Sequence, residues 1–209
     1  MNFLFTHQRE VATLTGEHLW LVGVSMLLAI AIGVPLGILL TRRPRFKAVV
    51  LGSTNVIQTI PSLALFGLLL PLPWLGARAD RLAIVALALY ALLPIVRNTY
   101  VGIAGIAPAV REAATAMGLT SGQLLWHVEL PLAFPVMLAG IRVAAVITIG
   151  VATIAAAIGA GGLGEFIFRG IAMVDNQVIL AGAIPAAIMA LVADLLLSGI
   201  EKLLVHHRS

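Results

Sequence analysis

The chain has 209 residues, of which 61% are hydrophobic without counting its 20 glycines, and only 11% are charged. A soluble domain is typically about 45–50% apolar with glycine included and about 25% charged, so this chain lacks the polar residues to cover a soluble core. The composition therefore excludes a soluble globular enzyme, and it excludes a disordered chain, which would be poor in apolar residues. With a mean hydropathy of +1.08, we expect an integral membrane protein.

Two further counts exclude classes of site. The chain has no cysteine, which rules out disulfides, thiolate metal sites and thiol nucleophiles. Its net charge of +4 comes without a cluster of interleaved basic and aromatic residues, so no nucleic-acid partner is expected.

Five stretches are long and apolar enough to cross a bilayer core of about 30 Å as helices of roughly 20 residues. In chain order they are residues 19–40, 49–72, 82–101, 135–158 and 178–200. Their unbroken runs of Leu, Ile, Val and Ala favour helices over the alternating segments of a β-barrel. We predict an all-α integral membrane fold with five transmembrane helices, in which residues 1–209 form a single domain.

The basic residues predict the orientation of these spans. The connector 41–47 carries four positive charges, and placing it in the cytoplasm puts nine Lys and Arg residues inside and four outside. The positive-inside rule then predicts an outer N-terminus and an inner C-terminus. Residues 1–18 lack the basic start and short apolar core of a cleaved signal, so no cleavage is expected.

The connector between spans 3 and 4, residues 102–134, is too long for a simple turn and is expected to be structured. Pro108 suits the first turn of a helix, and residues 109–117 are rich in helix formers. Gly118 can end that helix in the left-handed conformation.

A second short helix is predicted directly afterwards. Thr120 and Gln123 have the spacing of a capping box, and the helix is expected to run through Val128 and to be closed by Pro131. Two short helices at nearly right angles would form a docking platform just under the membrane.

The same connector carries a spaced motif, which reads Glu112-Ala113-Ala114, then Gly118, then Val128-Glu129-Leu130-Pro131. It resembles the EAA loop of permease subunits of bacterial ABC importers, with valine in place of isoleucine. The resemblance implies coupling to an ATPase through six positions: Glu112, Ala113, Ala114, Gly118, Leu130 and Pro131. Two small alanines would let a helix enter a groove of the ATPase, and Glu112 offers a charge to a basic residue there. The alternative is a solvated loop helix whose Glu112 only adds solubility.

Three further segments, 58–65, 90–100 and 159–164, resemble the permeases of osmoprotectant importers, which move glycine betaine, carnitine, choline or proline betaine. Methionine importers are the alternative. The resemblance implies a type I ABC importer permease fold in a bacterial cytoplasmic (inner) membrane. It also implies a second permease chain, as a homo- or heterodimer, two copies of a cytoplasmic ABC ATPase, and an extracytoplasmic substrate-binding protein. ATP and Mg would belong to the ATPase, since this chain has no phosphate loop, and no cofactor or metal is expected on it.

Span 2 contains a polar patch that is unusual for a helix in lipid: Asn55, Gln58, Thr59, Pro61 and Ser62. Pro61 frees a backbone carbonyl, which is tolerated where a cavity or a neighbouring helix satisfies it. The patch predicts either part of the translocation path or its gate, or hydrogen bonds between helices. The sequence leaves both interpretations open.

Glycines form two more patterns. Gly159, Gly161 and Gly164 match the G-x-G-x-x-G dinucleotide pattern, but no strand precedes them, so that match is false. Together with Gly162 they predict a close-packed re-entrant turn beside the pathway, an ordinary loop being the alternative. Gly33-x-x-x-Gly37 in span 1 predicts a packing face.

Asp194 is the one aspartate within a predicted span, and an ion pair with Arg142 or Lys202 is expected there rather than proton coupling. All five histidines lie outside the spans, so the paired groups of an intramembrane hydrolase are missing and no catalytic residue is expected. A passive channel would not need the 112–131 platform. Because only 6% of the residues are aromatic, without a cluster that could cage a quaternary amine, substrate selectivity is expected in the binding protein.

Overall fold

A computed structural model describes residues 7–206, with side chains described as far as residue 203. Within this part the chain forms ten α-helices joined by short turns. They are α1 Gln8–Arg42, α2 Lys47–Thr59, α3 Ser62–Leu69, α4 Pro73–Gly76, α5 Ala79–Ala104, α6 Pro108–Ala116, α7 Ser121–Leu124, α8 Leu130–Ala155, α9 Gly164–Met173 and α10 Asn176–His206. A π-helical turn, Leu125–Glu129, joins α7 to α8.

The central helix is α5, on which α1 and α8 both pack. Of its most apolar stretch 61% is buried, against 22% for α10, which lies at the periphery. The close contact of α1 with α5 depends on two glycines. A Cβ at Gly33 would lie 2.8 Å from Ile95 Cγ2, and one at Gly37 would lie 2.5 Å from Thr99 Cβ. The predicted packing face on α1 is therefore confirmed.

Four helical segments of the described chain are long and apolar enough to cross a membrane: α1, α5, the continuous helix Ser121–Ile158, and α10. They contain four of the five predicted spans, and α1 and α10 extend beyond the predicted ends into polar sequence. Within predicted span 49–72 the helix is broken at Pro61, and α2 and α3 meet at an angle of 103°. A fifth crossing is present only if this bent pair counts as one broken span.

The bend between α2 and α3 has a local cause. Pro61 disfavours the helical conformation of the residue before it, and Ile60 is accordingly extended, with φ −68° and ψ 128°. The Ile60 carbonyl accepts a hydrogen bond from the Tyr90 hydroxyl of α5. Gln58 Nε2 donates to the Tyr90 carbonyl over 3.4 Å. The broken helix is thus held to α5 on the N-terminal side of the break.

The connector after α5 forms the predicted first helix, α6, with Pro108 in its first turn. Gly118 has φ +86°, so the left-handed end is confirmed. The capping box is present as well, because Thr120 N–H donates to Gln123 Oε1 over 2.9 Å and Gln123 N–H donates to Thr120 Oγ1 over 3.4 Å.

The second short helix was predicted wrongly. It does not end at Val128, and Pro131 does not close it, because α7, the π-helical turn and α8 form one helix, Ser121–Ile158, of 38 residues. Pro131 lies directly after the π-helical turn, in which Leu130 N–H donates to the Leu125 carbonyl. This wider turn accommodates a proline that would interrupt a regular α-helix. Within the connector 102–134, α6 is therefore the one separate short helix.

The two ends of the helix bundle carry different connecting segments. We call the end that carries α6 the loop end, and the end with the turn at Gly159–Gly164 the glycine end. The glycine end also carries α9, a helix that lies between the predicted spans 135–158 and 178–200. Residues 1–6 and Arg208, which is one of the nine basic residues counted as cytoplasmic, lie outside the described residues, and the orientation in the membrane stays a prediction.

Candidate functional site

The helix α6 presents part of the motif on its surface. Glu112 and Ala113 are exposed, and the side chain of Glu112 makes no hydrogen bond or ion pair within the described chain. Ala114 is only 2% exposed and packs inside the chain. A Cβ at Gly118 would meet nothing within 4 Å, so its positive φ, rather than lack of space, demands glycine there. Of the three EAA residues, Glu112 and Ala113 thus belong to the exposed surface of α6, whereas Ala114 packs on its buried side.

An ionic cluster lies behind α6. Glu129, in the π-helical turn, is fully buried. Arg111 of α6 donates from Nε to Glu129 Oε1 over 2.9 Å. Arg42, the last residue of α1, donates from Nη2 to Glu129 Oε2 and from Nη1 to Oε1, the latter over 3.4 Å. We call Glu129, Arg42 and Arg111 the Glu129 cluster.

This cluster joins three elements: α1, α6 and the turn that leads into α8. Arg111 also donates from Nη2 to the carbonyl of Ile103 near the end of α5. The Glu129 cluster was not predicted from the sequence, because Glu129 is there only one position of the motif and the two arginines are only positive charges. The signal was weak, since the partners of Glu129 lie 87 and 18 residues away in sequence.

The end of the motif lies apart from the exposed surface of α6. Leu130 and Pro131 begin α8 and line an apolar groove of about 910 Å³ between α8 and α1, together with Arg42 and Trp126. Trp126 is 70% exposed in the single chain. Glu112, Ala113 and Ala114 thus share the helix α6, whereas Leu130 and Pro131 lie at the start of α8 and line the groove between α8 and α1.

The polar patch of span 2 is divided between two surroundings. Asn55 lines an open cavity of about 440 Å³ between α2 and α5, which Arg97 and Tyr100 also line. Lys47 Nζ lies 4.5 Å from the centroid of the Tyr100 ring at the same cavity. Gln58 instead makes the interhelical hydrogen bond described above. Asn55 thus supports the interpretation of the patch as part of a path, and Gln58 supports its interpretation as a source of hydrogen bonds between helices.

Two other residues of that patch lie at the break itself. Pro61 is exposed at the bend, and Ser62 is the first residue of α3. Their part in a path or gate stays a prediction.

The glycine turn is closely packed. Gly159, Gly161 and Gly162 have φ values of +77°, +85° and +81°, and a Cβ at Gly164 would lie 1.8 Å from the Thr153 carbonyl oxygen. Gly162 N–H donates to Glu17 Oε2 of α1 over 3.0 Å. A Cβ at Gly161, Gly162 or Gly164 would meet close neighbours, whereas one at Gly159 would meet nothing within 4 Å. A re-entrant turn beside the pathway stays a prediction.

Asp194 forms the expected ion pair. Arg142 Nε lies 3.4 Å from Asp194 Oδ1, and Arg142 Nη1 lies 3.3 Å from Glu201 Oε2. Arg142 of α8 thus bridges two acidic residues of α10, which supports a packing role for Asp194.

Comparisons with known proteins agree with this architecture. The family model described as "Binding-protein-dependent transport system inner membrane component" matches residues 33–208. The osmoprotectant import permease protein OsmW of Salmonella typhimurium is 44% identical over 206 residues, 98% of this chain and 96% of that protein. The glycine betaine/carnitine/choline transport system permease protein OpuCB of Bacillus subtilis is 41% identical over 202 residues, 97% of this chain and 92% of that protein.

A solved structure gives the fold. A chain of the MetNI methionine ABC transporter, in an inward-facing conformation, superposes with a TM-score of 0.83 at 24% identity and covers 98% of both chains. This match shows the type I importer permease fold. The matched family is a transport component of the bacterial inner membrane, not an enzyme, so the intramembrane hydrolase is excluded. The chain belongs to the family of binding-protein-dependent transport system inner membrane components, the permease subunits of ABC importers.

Proposed function

We propose that this permease imports quaternary-amine osmoprotectants such as glycine betaine, choline and carnitine. One observation carries the proposal: relatives that are named for these compounds and are 41–48% identical align with 90% or more of the chain. Identity of this extent includes the helices that would line the path. Selection between amines falls to the binding protein, which the low aromatic content of this chain, 6%, supports.

The working importer contains two permease chains, identical or related, two ABC ATPases and an extracytoplasmic binding protein. ATP and Mg are bound by the ATPases. The loop end faces the cytoplasm and the N-terminus lies outside, which the excess of basic residues near the loop end supports. ATP binding closes the ATPases and turns the cavity outward, and hydrolysis returns it inward.

The coupling site is α6 with the turn that follows it. Glu112 and Ala113 provide the exposed surface against the ATPase, and Ala114 provides the support beneath. Gly118 reverses the chain at the end of α6. Leu130 and Pro131 act from behind, where α8 begins. Asn55, Gln58, Pro61 and Ser62 belong to the path or its gate, with Asn55 nearest to the open cavity.

Competition uptake tests the substrate class. The permease is reconstituted in proteoliposomes with its ATPase and binding protein, and uptake of labelled glycine betaine is measured with unlabelled betaine, choline, carnitine or methionine in excess. Competition by the quaternary amines supports the proposal. Uptake of methionine, with competition by methionine alone, would assign the chain to the methionine branch, whose permease shares the fold.

Charge reversal tests the coupling site. Glu112→Lys should leave membrane insertion intact but reduce uptake at least about tenfold, because a repulsive charge at an interface costs several kcal/mol. Gly118→Val should also reduce uptake, since valine does not tolerate φ +86°. Glu165→Lys makes the same charge change at the glycine end and is the matched control. Normal uptake by Glu112→Lys at the native expression level would refute the coupling assignment.

A further inference from the structure

The Glu129 cluster connects α6 with a helix that is remote from it in sequence. α1 ends at Arg42, and α6 begins at Pro108, so contacts rather than the backbone join them. The carboxylate of Glu129 is shared by both arginines. We propose that Glu129 is a positioning residue that makes α6, the end of α1 and the start of α8 move as one body, and so transmits displacement of α6 into the membrane helices. This proposal rests on the coupling role of α6.

The burial of the carboxylate explains why the three elements stay together. The Glu129 side chain is fully buried, while those of Arg42 and Arg111 are 40% and 29% exposed. If α6 moved away alone, Arg111 would find water but Glu129 would lose one of its two cationic partners. A buried charge without its full complement of partners is costly, so separation is opposed more strongly than joint movement.

The geometry also fixes the direction of α6 relative to its neighbours. Arg111 uses one guanidinium for two acceptors, the Glu129 carboxylate and the Ile103 carbonyl. Arg42 approaches the same carboxylate with both Nη atoms. Planar guanidinium groups that make several hydrogen bonds hold orientation as well as distance. The backbone on the other side of α6 passes through Gly118, which by itself constrains direction less.

A purely structural role makes a different prediction. A cluster that only stabilises the fold would, when weakened, reduce the amount of intact importer, but each intact importer would still move one cargo load for the same ATP. A positioning role requires that hydrolysis continue while uptake falls. The ratio of cargo imported to ATP hydrolysed therefore separates the two.

The test uses the complete importer in proteoliposomes, with uptake and ATP hydrolysis measured on the same preparation. Glu129→Gln keeps the size of the side chain and removes its charge. We expect the ATPase to co-purify with this variant, hydrolysis to persist, and cargo imported per ATP to fall roughly 2- to 30-fold, the range in which coupling networks respond to mutation. Glu201→Gln is the matched control, since it makes the same change in the Arg142 ion pair and should leave the ratio unchanged.

The outcomes separate the two proposals. An unchanged ratio in an assembled Glu129→Gln importer overturns the positioning role and leaves the importer assignment intact. Absence of ATP-driven uptake by the unsubstituted complex refutes the proposed function itself. If Glu129→Gln does not assemble, Arg111→Lys decides, because it keeps the charge but loses the fork that reaches both Glu129 and Ile103. A lowered ratio in that variant supports the proposal, and an unchanged ratio overturns it.

Discussion

The two ends of α1 are fastened to the rest of the molecule by different physical means. At the loop end, Arg42 pairs with the fully buried Glu129, so charge holds the helix. At the glycine end, Glu17 accepts a hydrogen bond from the Gly162 backbone, and the helix lies against a glycine-rich turn. Loss of a charged partner should therefore destabilise the loop end, whereas an added side chain should destabilise the glycine end.

The largest effect is expected where both cationic partners of Glu129 are removed. Arg42→Ala combined with Arg111→Ala leaves a buried carboxylate unpaired, which should lower the free energy of unfolding by about 3–5 kcal/mol. Titration with SDS of the detergent-solubilised protein measures it. Glu129→Gln in the same background should restore much of the loss, since the uncompensated charge is gone. Equal stability of the double and triple variants would show that charge is not what holds this end.

A smaller effect is expected from added volume at the glycine end. Gly162→Ala places a side chain at φ +81° and 3.1 Å from His18 Nδ1, which should cost about 1–2 kcal/mol through the left-handed conformation alone. Gly150→Ala is the matched control, because nothing lies within 4 Å of its Cβ position in α8. There alanine should stabilise the helix by roughly 0.5–1 kcal/mol. Changes of opposite sign in the free energy of unfolding of the two variants, measured in the same SDS titration, support the comparison, and changes of equal sign contradict it.

The smallest effect should come from the one charge pair described at the glycine end of α1. Arg169 Nη1 lies 2.7 Å from Glu10 Oε1, with both side chains well exposed. Exposed ion pairs contribute about 0–1 kcal/mol and weaken with salt. Glu10→Gln should therefore change the free energy of unfolding by less than about 1 kcal/mol. A loss as large as that of the arginine double variant would mean that charge holds both ends.

Local sequence patterns predicted the parts of the fold that depend on neighbouring residues. The capping box of Thr120 and Gln123 and the left-handed Gly118 follow from the residues themselves. The packing face at Gly33 and Gly37 follows from their spacing on one side of a helix. For the same reason, most of the apolar stretches were predicted correctly as helices, although α1 begins well before its apolar part.

The errors arose where distant contacts decide the structure. The angle between α2 and α3 could not be predicted from hydropathy, which does not register that Tyr90 satisfies the Ile60 carbonyl at the break. The helix α9 was missed because its apolar stretch is too short for a span. Of the candidate site, the exposed Glu112 was predicted from the motif, but the Glu129 cluster depends on three elements that only the fold brings together.

The π-helical turn at Leu125–Glu129 has a consequence for rotation. It contains one residue more than a regular turn, and each residue of an α-helix advances the chain by about 100°. Because the wider turn absorbs that residue, α7 and the end of the coupling loop keep about the rotation relative to α8 that a regular turn would give them. An extra residue in a regular helix would instead turn the loop by about 100°, so the π-helical turn lengthens the chain by one residue without changing the direction in which the loop meets the membrane helices.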